Sequence, residues 1–175
     1  RQVVSIGQSE STFFSKAEGN SPYQSEILPM ICALARAKRA WVFAGTMPLA
    51  LRPDKTYIED GRVRAASLVV DPAGNIVARY DKIHLFDVEV SDTTRVYRES
   101  ATFEPGDQLA VAKTPFAAIG LSVCYDLRFP GHYLDLTKLG ATVIAVPSAF
   151  TRPTGAAHFE AVSYTHLTLP TNGCV

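Results

Sequence analysis

A cysteine and a lysine suited to nucleophilic chemistry each stand where an apolar segment of this chain gives way to polar residues. Cys124 ends the strand-like run 119–124 and is followed at once by Tyr-Asp-Leu-Arg-Phe-Pro. Lys82 ends a second apolar segment, 42 residues upstream. Strand ends in α/β proteins present reacting groups to ligands. Because an ammonium group favours a nearby thiolate and stabilises an oxyanion, the two residues are predicted to act as nucleophile and electrostatic partner.

Each of these residues also has a structural interpretation that requires no chemistry. A lone strand cysteine is most often buried core, as Cys32 is expected to be on the apolar face of its helix. A lysine at a strand end is commonly solvated, and Glu99 beside Arg98 has the pattern of a surface ion pair. Polar residues crowd Cys124, and aromatic and apolar residues surround Lys82. These surroundings favour the chemical interpretation for both.

The segments that must position these residues alternate between helical and strand patterns. Ser21, Pro22 and Gln24 have the types and spacing of a helix start. Apolar residues at helical spacing then follow as far as residue 37. Strands are predicted over 41–45, 66–70, 76–80, 119–124 and 141–146, and a second helix over 131–139. This alternation predicts an α/β fold.

Two connections between these elements carry further information. Residues 71–75, Asp-Pro-Ala-Gly-Asn, have the chemistry of a tight turn and predict a hairpin over 66–82. Residues 87–108 form a long polar connection with Pro-Gly-Asp near its end. Connections of that length are more often functional than idle, so this segment is expected to contribute to the site.

The composition excludes several classes of function. The chain has 175 residues, with 17 basic against 17 acidic side chains, so neither a nucleic-acid partner nor a membrane partner is expected. No apolar run approaches the length of a membrane span. Three widely spaced cysteines make a poor disulfide framework, which favours a reducing, cytoplasmic compartment. The four histidines lack metal-ligand spacing, and neither a metal nor another cofactor is predicted.

Several ordered motifs resemble those of one known family. Three of them are Arg-Tyr-Asp-Lys-Ile-His-Leu-Phe-Asp at 79–87, Tyr-Arg-Glu-Ser at 97–100 with Phe-Glu-Pro-Gly-Asp at 103–107, and Gly-Leu-Ser-Val-Cys-Tyr-Asp-Leu-Arg-Phe-Pro at 120–130. With the segments 146–151 and 154–160, they resemble the nitrilase superfamily of carbon–nitrogen hydrolases. Within it they are most similar to the Nit branch, which includes amidases of deaminated glutathione and ω-amidases. The resemblance covers about residues 17–160.

The resemblance implies an αββα sandwich and a Glu-Lys-Cys catalytic set. Cys124 matches the nucleophile that attacks an amide carbon and forms a thioester. Lys82 matches the lysine that stabilises the tetrahedral oxyanion, and the backbone N–H of Tyr125 would be the second donor. Glu99 matches the supporting glutamate that positions the lysine and the substrate. These residue types suit the roles, since a thiolate attacks well and cationic and amide donors neutralise the developing charge.

The remaining implications concern the substrate and the assembly. Arg128, Phe150 and Thr151 are candidates for the substrate pocket, although Asp126 and Arg128 have the alternative of a structural salt bridge across the turn. The expected partners are a small-molecule amide and water, without nucleic acid or membrane. The resemblance also implies a homodimer.

Two departures from the family pattern predict a sandwich that is incomplete at both ends. The family's general base is a glutamate in a Pro-Glu motif, and the alignment places that motif just before Arg1. Residues 1–161 are predicted to be a partial carbon–nitrogen hydrolase domain. Residues 162–175 do not continue the family pattern; they are similar to translated sequencing-adaptor read-through and are predicted to be a non-family, artefactual tail.

Three functions are consistent with these residues. The favoured one is hydrolysis of the amide of a small carboxylic acid through a cysteine thioester. A second keeps the fold and changes the substrate to a nitrile, a carbamoyl amine or an acyl donor. A third is a binding or interaction module whose catalysis is impaired, because loss of a general base commonly lowers a rate about 10²–10⁴-fold.

Overall fold

The computed structural model of the chain describes residues 27–89 and 96–149, together with residues 159, 162 and 163. The predicted helix start at Ser21 lies outside these residues. The predicted end of the domain at residue 161 and the predicted tail fall almost wholly outside them as well. Both boundaries therefore stay predictions.

The described residues before 146 form ten helices and strands. They are α1 (Ile27–Lys38), β1 (Val42–Leu49), β2 (Arg64–Val70), β3 (Ile76–Asp81), β4 (Asp87–Glu89), β5 (Val96–Arg98), β6 (Val111–Lys113), β7 (Ala118–Leu121), α2 (Pro130–Lys138) and β8 (Val143–Ala145). Short 3-10 turns cover Glu99–Ala101 and Cys124–Arg128.

The first sheet is antiparallel in the order β1-β2-β3. Every residue of the central strand β2 is buried, so this strand has a layer packed on each of its faces. The predicted hairpin between β2 and β3 is confirmed. Its turn is closed by the Asp71 carboxylate, which accepts hydrogen bonds from the backbone N–H groups of Ala73 and Asn75. The hairpin ends at Asp81, one residue before Lys82.

The second sheet has the order β6-β7-β8. Strands β6 and β7 are antiparallel, whereas β7 and β8 are parallel and are joined by a crossover through α2. Two residues separate the end of the central strand β7 from the 3-10 turn that begins at Cys124. The sequence predicted a strand as far as Cys124, and the strand ends three residues earlier, at Leu121.

The two sheets pack face to face, with a helix on each outer side. Side chains from both sheets share one buried cluster: Val69, Ala78, Tyr80, Ala110, Ala112, Ile119, Leu121 and Val123. A second cluster joins Leu28 of α1 to the other face of the first sheet. A third joins Tyr133 and Leu136 of α2 to the region of the second sheet. The order helix, sheet, sheet, helix is the predicted αββα arrangement.

The polar connection 87–108 contains secondary structure that the sequence did not predict. Strands β4 and β5 pair antiparallel, with Asp87 opposite Arg98. Each strand has only three residues, too few for an alternating apolar pattern to be recognised. Of the helices in the described residues, none is long and apolar enough to cross a bilayer.

Gly120 tests the packing between β7 and its neighbours. A Cβ at this position would lie 2.9 Å from Ile144 Cδ1 and 3.0 Å from Ala141 Cβ. Because overpacking typically destabilises a core by about 1–3 kcal/mol, Gly120→Ala is expected to lower the free energy of unfolding by that amount in urea titrations. Gly131→Ala is the matched control, since a Cβ there meets no atom within 4 Å. Equal stability of the two variants would contradict this packing.

Candidate active site

Lys82 is a buried cation paired with a carboxylate. Only 4% of its surface is exposed. Its Nζ lies 2.8 Å from Glu99 Oε1 and 2.6 Å from Glu99 Oε2. Its backbone N–H donates to the Ala65 carbonyl and its own carbonyl accepts from Gly106 N–H. A buried ammonium requires such a partner, so the interpretation of Lys82 as a solvated lysine is wrong.

Glu99 is placed by the hairpin of β4 and β5. It begins the 3-10 turn directly after β5. Its Oε2 accepts a hydrogen bond from Phe86 N at 2.6 Å, and its own N–H donates to the Phe86 carbonyl at 3.2 Å. The carboxylate is therefore held on both its main chain and its side chain. It pairs with Lys82, not with Arg98 as the alternative interpretation expected.

Cys124 occupies a strained turn between a strand and a helical segment. Its φ of +47° lies in the left-handed region that side chains other than glycine rarely adopt. Its backbone N–H donates to the Pro147 carbonyl at 2.9 Å. Pro147 packs closely on β1, because a Cβ on Gly45 would lie 2.5 Å from Pro147 Cβ. Cys124 is half-buried and packs against the margin of the core cluster between the sheets. Strained strand-to-helix turns of this kind expose nucleophiles.

Asp126 links the turn of Cys124 to the segment around Lys82. Its carboxylate is fully buried. Oδ1 accepts hydrogen bonds from the backbone N–H of His84 at 3.1 Å and lies 2.7 Å from His84 Nδ1. Oδ2 accepts from Tyr80 Oη at 2.7 Å and from Val123 N at 2.8 Å. The alternative of a salt bridge between Asp126 and Arg128 is wrong, because these four donors occupy the carboxylate.

His84, Asp126 and His132 form a cluster whose potential ligand atoms lie within 4.8 Å of one another. Such a set is chemically able to hold a divalent cation. The carboxylate already accepts from four donors, which matches its acceptor capacity. The cluster therefore fits a hydrogen-bonded network better than a metal centre. His132 is buried, and its burial lowers its pKa, which favours the neutral imidazole.

A network of five charged side chains supports the strand end that precedes Lys82. Glu104 accepts from Arg52 Nε and Nη2, both at 2.8 Å, and from Arg64 Nη2. Asp81 accepts from Arg79 Nε at 2.8 Å and Nη2 at 3.0 Å. Arg64 Nη1 lies 3.9 Å from Asp81 Oδ2 and so connects the two groups. Hydrogen bonds from Arg52 and then Arg64 lower the pKa of Glu104 to about 2.

Aromatic rings bring the segments that carry Lys82 and Cys124 into contact. The Tyr125 ring lies 4.9 Å from the Phe86 ring, in an edge-to-face arrangement. Phe129 stacks on His84, with ring centroids 3.7 Å apart. Phe86 also contacts Tyr97 of β5 at 5.4 Å. The residues that follow Cys124 thus pack on those that follow Lys82 and on the hairpin that carries Glu99.

The other predicted site residues are placed as follows. Tyr125 follows Cys124 directly, in the 3-10 turn. Arg128 ends that turn, and among the described residues no carboxylate lies within ion-pair distance of it. Phe150 and Thr151 lie outside the described residues. Cys32 packs beside the cluster under α1, and burial raises its pKa, as an inert thiol requires.

Sequence reasoning missed the role of Tyr80 and His84 as donors to Asp126. A signal was present: His84 follows Lys82 by two residues, and Asp126 follows Cys124 by two residues. Two polar side chains at the same offset from two candidate catalytic residues are suited to contact each other when the segments meet. The separation of 42 residues between them hides that contact from any local pattern.

Comparison with known proteins identifies the family. The family model described as carbon-nitrogen hydrolase matches residues 3–167. The chain belongs to this family. A relative from Yersinia enterocolitica, named deaminated glutathione amidase, is 43% identical to this chain over 146 residues. The match covers 83% of this chain and 48% of the Yersinia protein. This carbon–nitrogen hydrolase chain thus spans about half the length of the curated relatives it matches.

Solved structures confirm the predicted nitrilase-type fold. The NitFhit protein of C. elegans superposes with a TM-score of 0.71 at 32% identity, covering 83% of this carbon–nitrogen hydrolase chain and 34% of that chain. Nit3 of Saccharomyces cerevisiae, described as a member of branch 10 of the nitrilase superfamily, superposes with a TM-score of 0.65 at 25% identity. That match covers 81% of this chain and 46% of Nit3.

The low pKa of Glu104 predicts how the charge network contributes to stability. A carboxyl whose folded pKa is lowered from 4.5 to about 2 stabilises the fold above pH 4.5 and loses that contribution as the pH falls through about 2. Glu104→Gln is therefore expected to lower the free energy of unfolding by about 2 kcal/mol at pH 7. The difference between the two proteins should shrink between pH 4.5 and 2 in denaturant titrations. A difference that is constant with pH would contradict this role.

Proposed function

We propose that this chain carries the nucleophile, the oxyanion lysine and the supporting glutamate of an amidase that acts on small carboxylic-acid amides. The observation that supports this most is the pairing of the buried Lys82 with Glu99. The Lys82 segment is tied through Asp126 to the strained turn of Cys124. A buried cation destabilises a fold unless it is paired, so its retention here is consistent with a catalytic use. Membership of the carbon–nitrogen hydrolase family supports the same conclusion.

The proposed reaction follows from the chemistry of these groups. The Cys124 thiolate attacks the amide carbon, and the carbonyl electrons move to the oxygen to give a tetrahedral oxyanion. The Lys82 ammonium and the Tyr125 backbone N–H donate to that oxyanion; N–H groups in the first turn of a helical segment lack intrahelical partners. Collapse breaks the C–N bond, and the protonated nitrogen leaves as ammonia or an amine. Water then attacks the thioester, releasing the acid and restoring the thiol.

Glu99 is proposed to support this reaction without acting as its general base. Both of its oxygens bind Lys82, and Oε2 also accepts from Phe86 N–H. A carboxylate engaged in this way fixes the ammonium in position and balances its charge. The proton transfers to and from sulfur, nitrogen and water are assigned to the glutamate of the family's Pro-Glu motif, which is expected outside this sequence.

The substrate is proposed to carry a carboxylate as well as an amide. Arg128 ends the turn that begins at Cys124 and has no carboxylate partner among the described residues. A half-buried guanidinium in this position is suited to bidentate binding of a carboxylate. The relative from Yersinia enterocolitica is named for a substrate, deaminated glutathione, that has such groups. Phe150 and Thr151, which lie outside the described residues, stay predicted pocket residues.

The setting of the enzyme is proposed on the same basis. The family resemblance implies a homodimer, with the amide and water as the partners, and the cysteine content favours the cytoplasm. The free thiols of Cys32 and Cys124 are compatible with a reducing compartment. The alternative of a pure binding module gains no support from the site, because ligand binding alone gives no reason to bury Lys82 with Glu99.

Ammonia release from ω-amido acids tests the proposed function. It is measured on this chain and on a chimera in which segments of the Yersinia relative complete the family length. Cys124→Ala is expected to abolish turnover, and Lys82→Met to lower kcat about 10²–10³-fold through loss of an oxyanion donor. Cys32→Ala is the matched control and should retain the parent rate. Mass spectrometry should show an acyl adduct on Cys124. Turnover by folded Cys124→Ala at the parent rate would refute the assignment.

Arg128→Gln tests the proposed carboxylate contact. Loss of a charge-assisted hydrogen bond worth about 1.5–3 kcal/mol should raise KM about 10–100-fold for an ω-amido acid. The corresponding amide without a carboxylate should show no change in KM. Arg62→Gln is the control, because this arginine pairs with Asp60 in an exposed turn. An equal effect of Arg128→Gln on both substrates would contradict the proposed contact.

A further inference from the structure

The Asp126 carboxylate connects the two catalytic segments through hydrogen bonds on both sides. Toward the lysine it accepts from Tyr80 Oη, two residues before Lys82, and from His84, two residues after it. Toward the cysteine it accepts from the backbone N–H of Val123, the residue before Cys124. One buried carboxylate therefore binds a side chain before Lys82, the main chain after it and the main chain at the base of the cysteine turn.

Tyr80 is the donor that makes this connection rigid. Its hydroxyl donates to Asp126 Oδ2 and accepts from Ile83 N–H at 3.1 Å, so it also binds the residue that follows Lys82. Burial, reinforced by the neighbouring Asp126 carboxylate, raises the pKa of Tyr80 far above its usual value. The hydroxyl thus keeps its proton and its donor role across the working pH range. Only 1% of the Tyr80 surface is exposed.

The same carboxylate maintains the strained backbone at Cys124. Its bond to Val123 N–H fixes the residue that precedes the positive φ, and the Asp126 N–H donates to the Val123 carbonyl at 3.1 Å. A non-glycine residue stays in the left-handed region only where its surroundings over-determine the backbone. Asp126 thus contributes to the orientation of the sulfur as well as to the position of the lysine.

We propose that Asp126 is a positioning residue for the acyl-transfer reaction, setting the distance and angle between the Lys82 ammonium and the Cys124 sulfur through Tyr80, His84 and Val123. This proposal rests on the proposed amidase function. Asp126 touches neither the substrate nor the reacting atoms. Its effect should fall on kcat, because a misplaced oxyanion donor weakens binding of the transition state without weakening binding of the substrate.

Tyr80→Phe and Asp126→Asn test the proposal. Tyr80→Phe removes one donor to the carboxylate and keeps the ring, and it is expected to lower kcat about tenfold. Asp126→Asn should lower kcat about 100-fold, since its NH₂ group must face donors. In both variants KM should stay within twofold of the parent value. Tyr133→Phe is the matched control, because Tyr133 is also a buried tyrosine in this core, but its hydroxyl donates to Ser122 Oγ. Its kcat should stay within twofold of the parent value.

Two results in the turnover assay would overturn the proposal. One is a kcat within twofold of the parent value for both folded variants. The other is a change confined to KM, which would place Asp126 in substrate binding. If Asp126→Asn does not fold, as judged by circular dichroism, Tyr80→Phe decides the question by itself.

Alkylation by iodoacetamide separates this proposal from the proposed function. If the parent protein turns over no amide, the proposed function fails, and the rate of Cys124 carboxamidomethylation then measures the orientation of the sulfur. The rate constant in Tyr80→Phe should differ at least threefold from the parent value, and that in Tyr133→Phe should not. The Cys32 rate is the internal reference. Equal Cys124 rates in the parent protein and Tyr80→Phe would then overturn the positioning role.

Discussion

The pairing of a buried ammonium with a partly buried carboxylate is the constraint on which the site depends. Lys82 is almost fully removed from water, and an unpaired charge there would be strongly destabilising. Glu99 satisfies it with both oxygens, and that requires the β4–β5 hairpin to bring the glutamate back over the end of β3. The polar connection between the two sheets is therefore folded because the lysine needs a partner. Its hairpin is better understood as part of the site than as a linker.

The turn at Cys124 carries a conformational cost, as the burial of Lys82 carries an electrostatic one. A left-handed φ at a residue with a side chain costs about 1–3 kcal/mol. The bond of Cys124 N–H to Pro147, the Asp126 cap on Val123 and the aromatic contacts of Tyr125 all oppose relaxation of this turn. The αββα layers supply the rigidity, since β7 is the central strand of its sheet and its end cannot move independently. Strain at Cys124 and burial at Lys82 are thus maintained by the same core.

The sequence was sufficient to predict the layers of the fold and the family. It was insufficient to predict the hydrogen bonds and the short strands that connect the parts of the site. The periodicity of α1 and the turn chemistry at 71–75 predicted local elements, because these depend on neighbouring residues. The motifs around Lys82 and Glu99 predicted that the glutamate would position the lysine, and these two side chains form an ion pair. The hydrogen bonds of Asp126 were not predicted, because its partners lie 42 and 46 residues away and a buried carboxylate has no distinctive spacing. The short strands β4 and β5 were not predicted, because they are recognised by their pairing with each other and not by their composition.

The contact between Gly45 and Pro147 has a consequence for how this sequence is able to vary over evolution. A methyl group on Gly45 would collide with the proline ring, and the proline carbonyl holds the backbone of Cys124. A replacement at position 45 would therefore disturb the backbone of Cys124 from the opposite sheet, even though that position bears no functional group. Substitutions at 45 and 147 should be inherited together, so that a larger residue at one is tolerated only with a compensating change at the other. The glycine in β1 is in this sense constrained by the backbone geometry of Cys124.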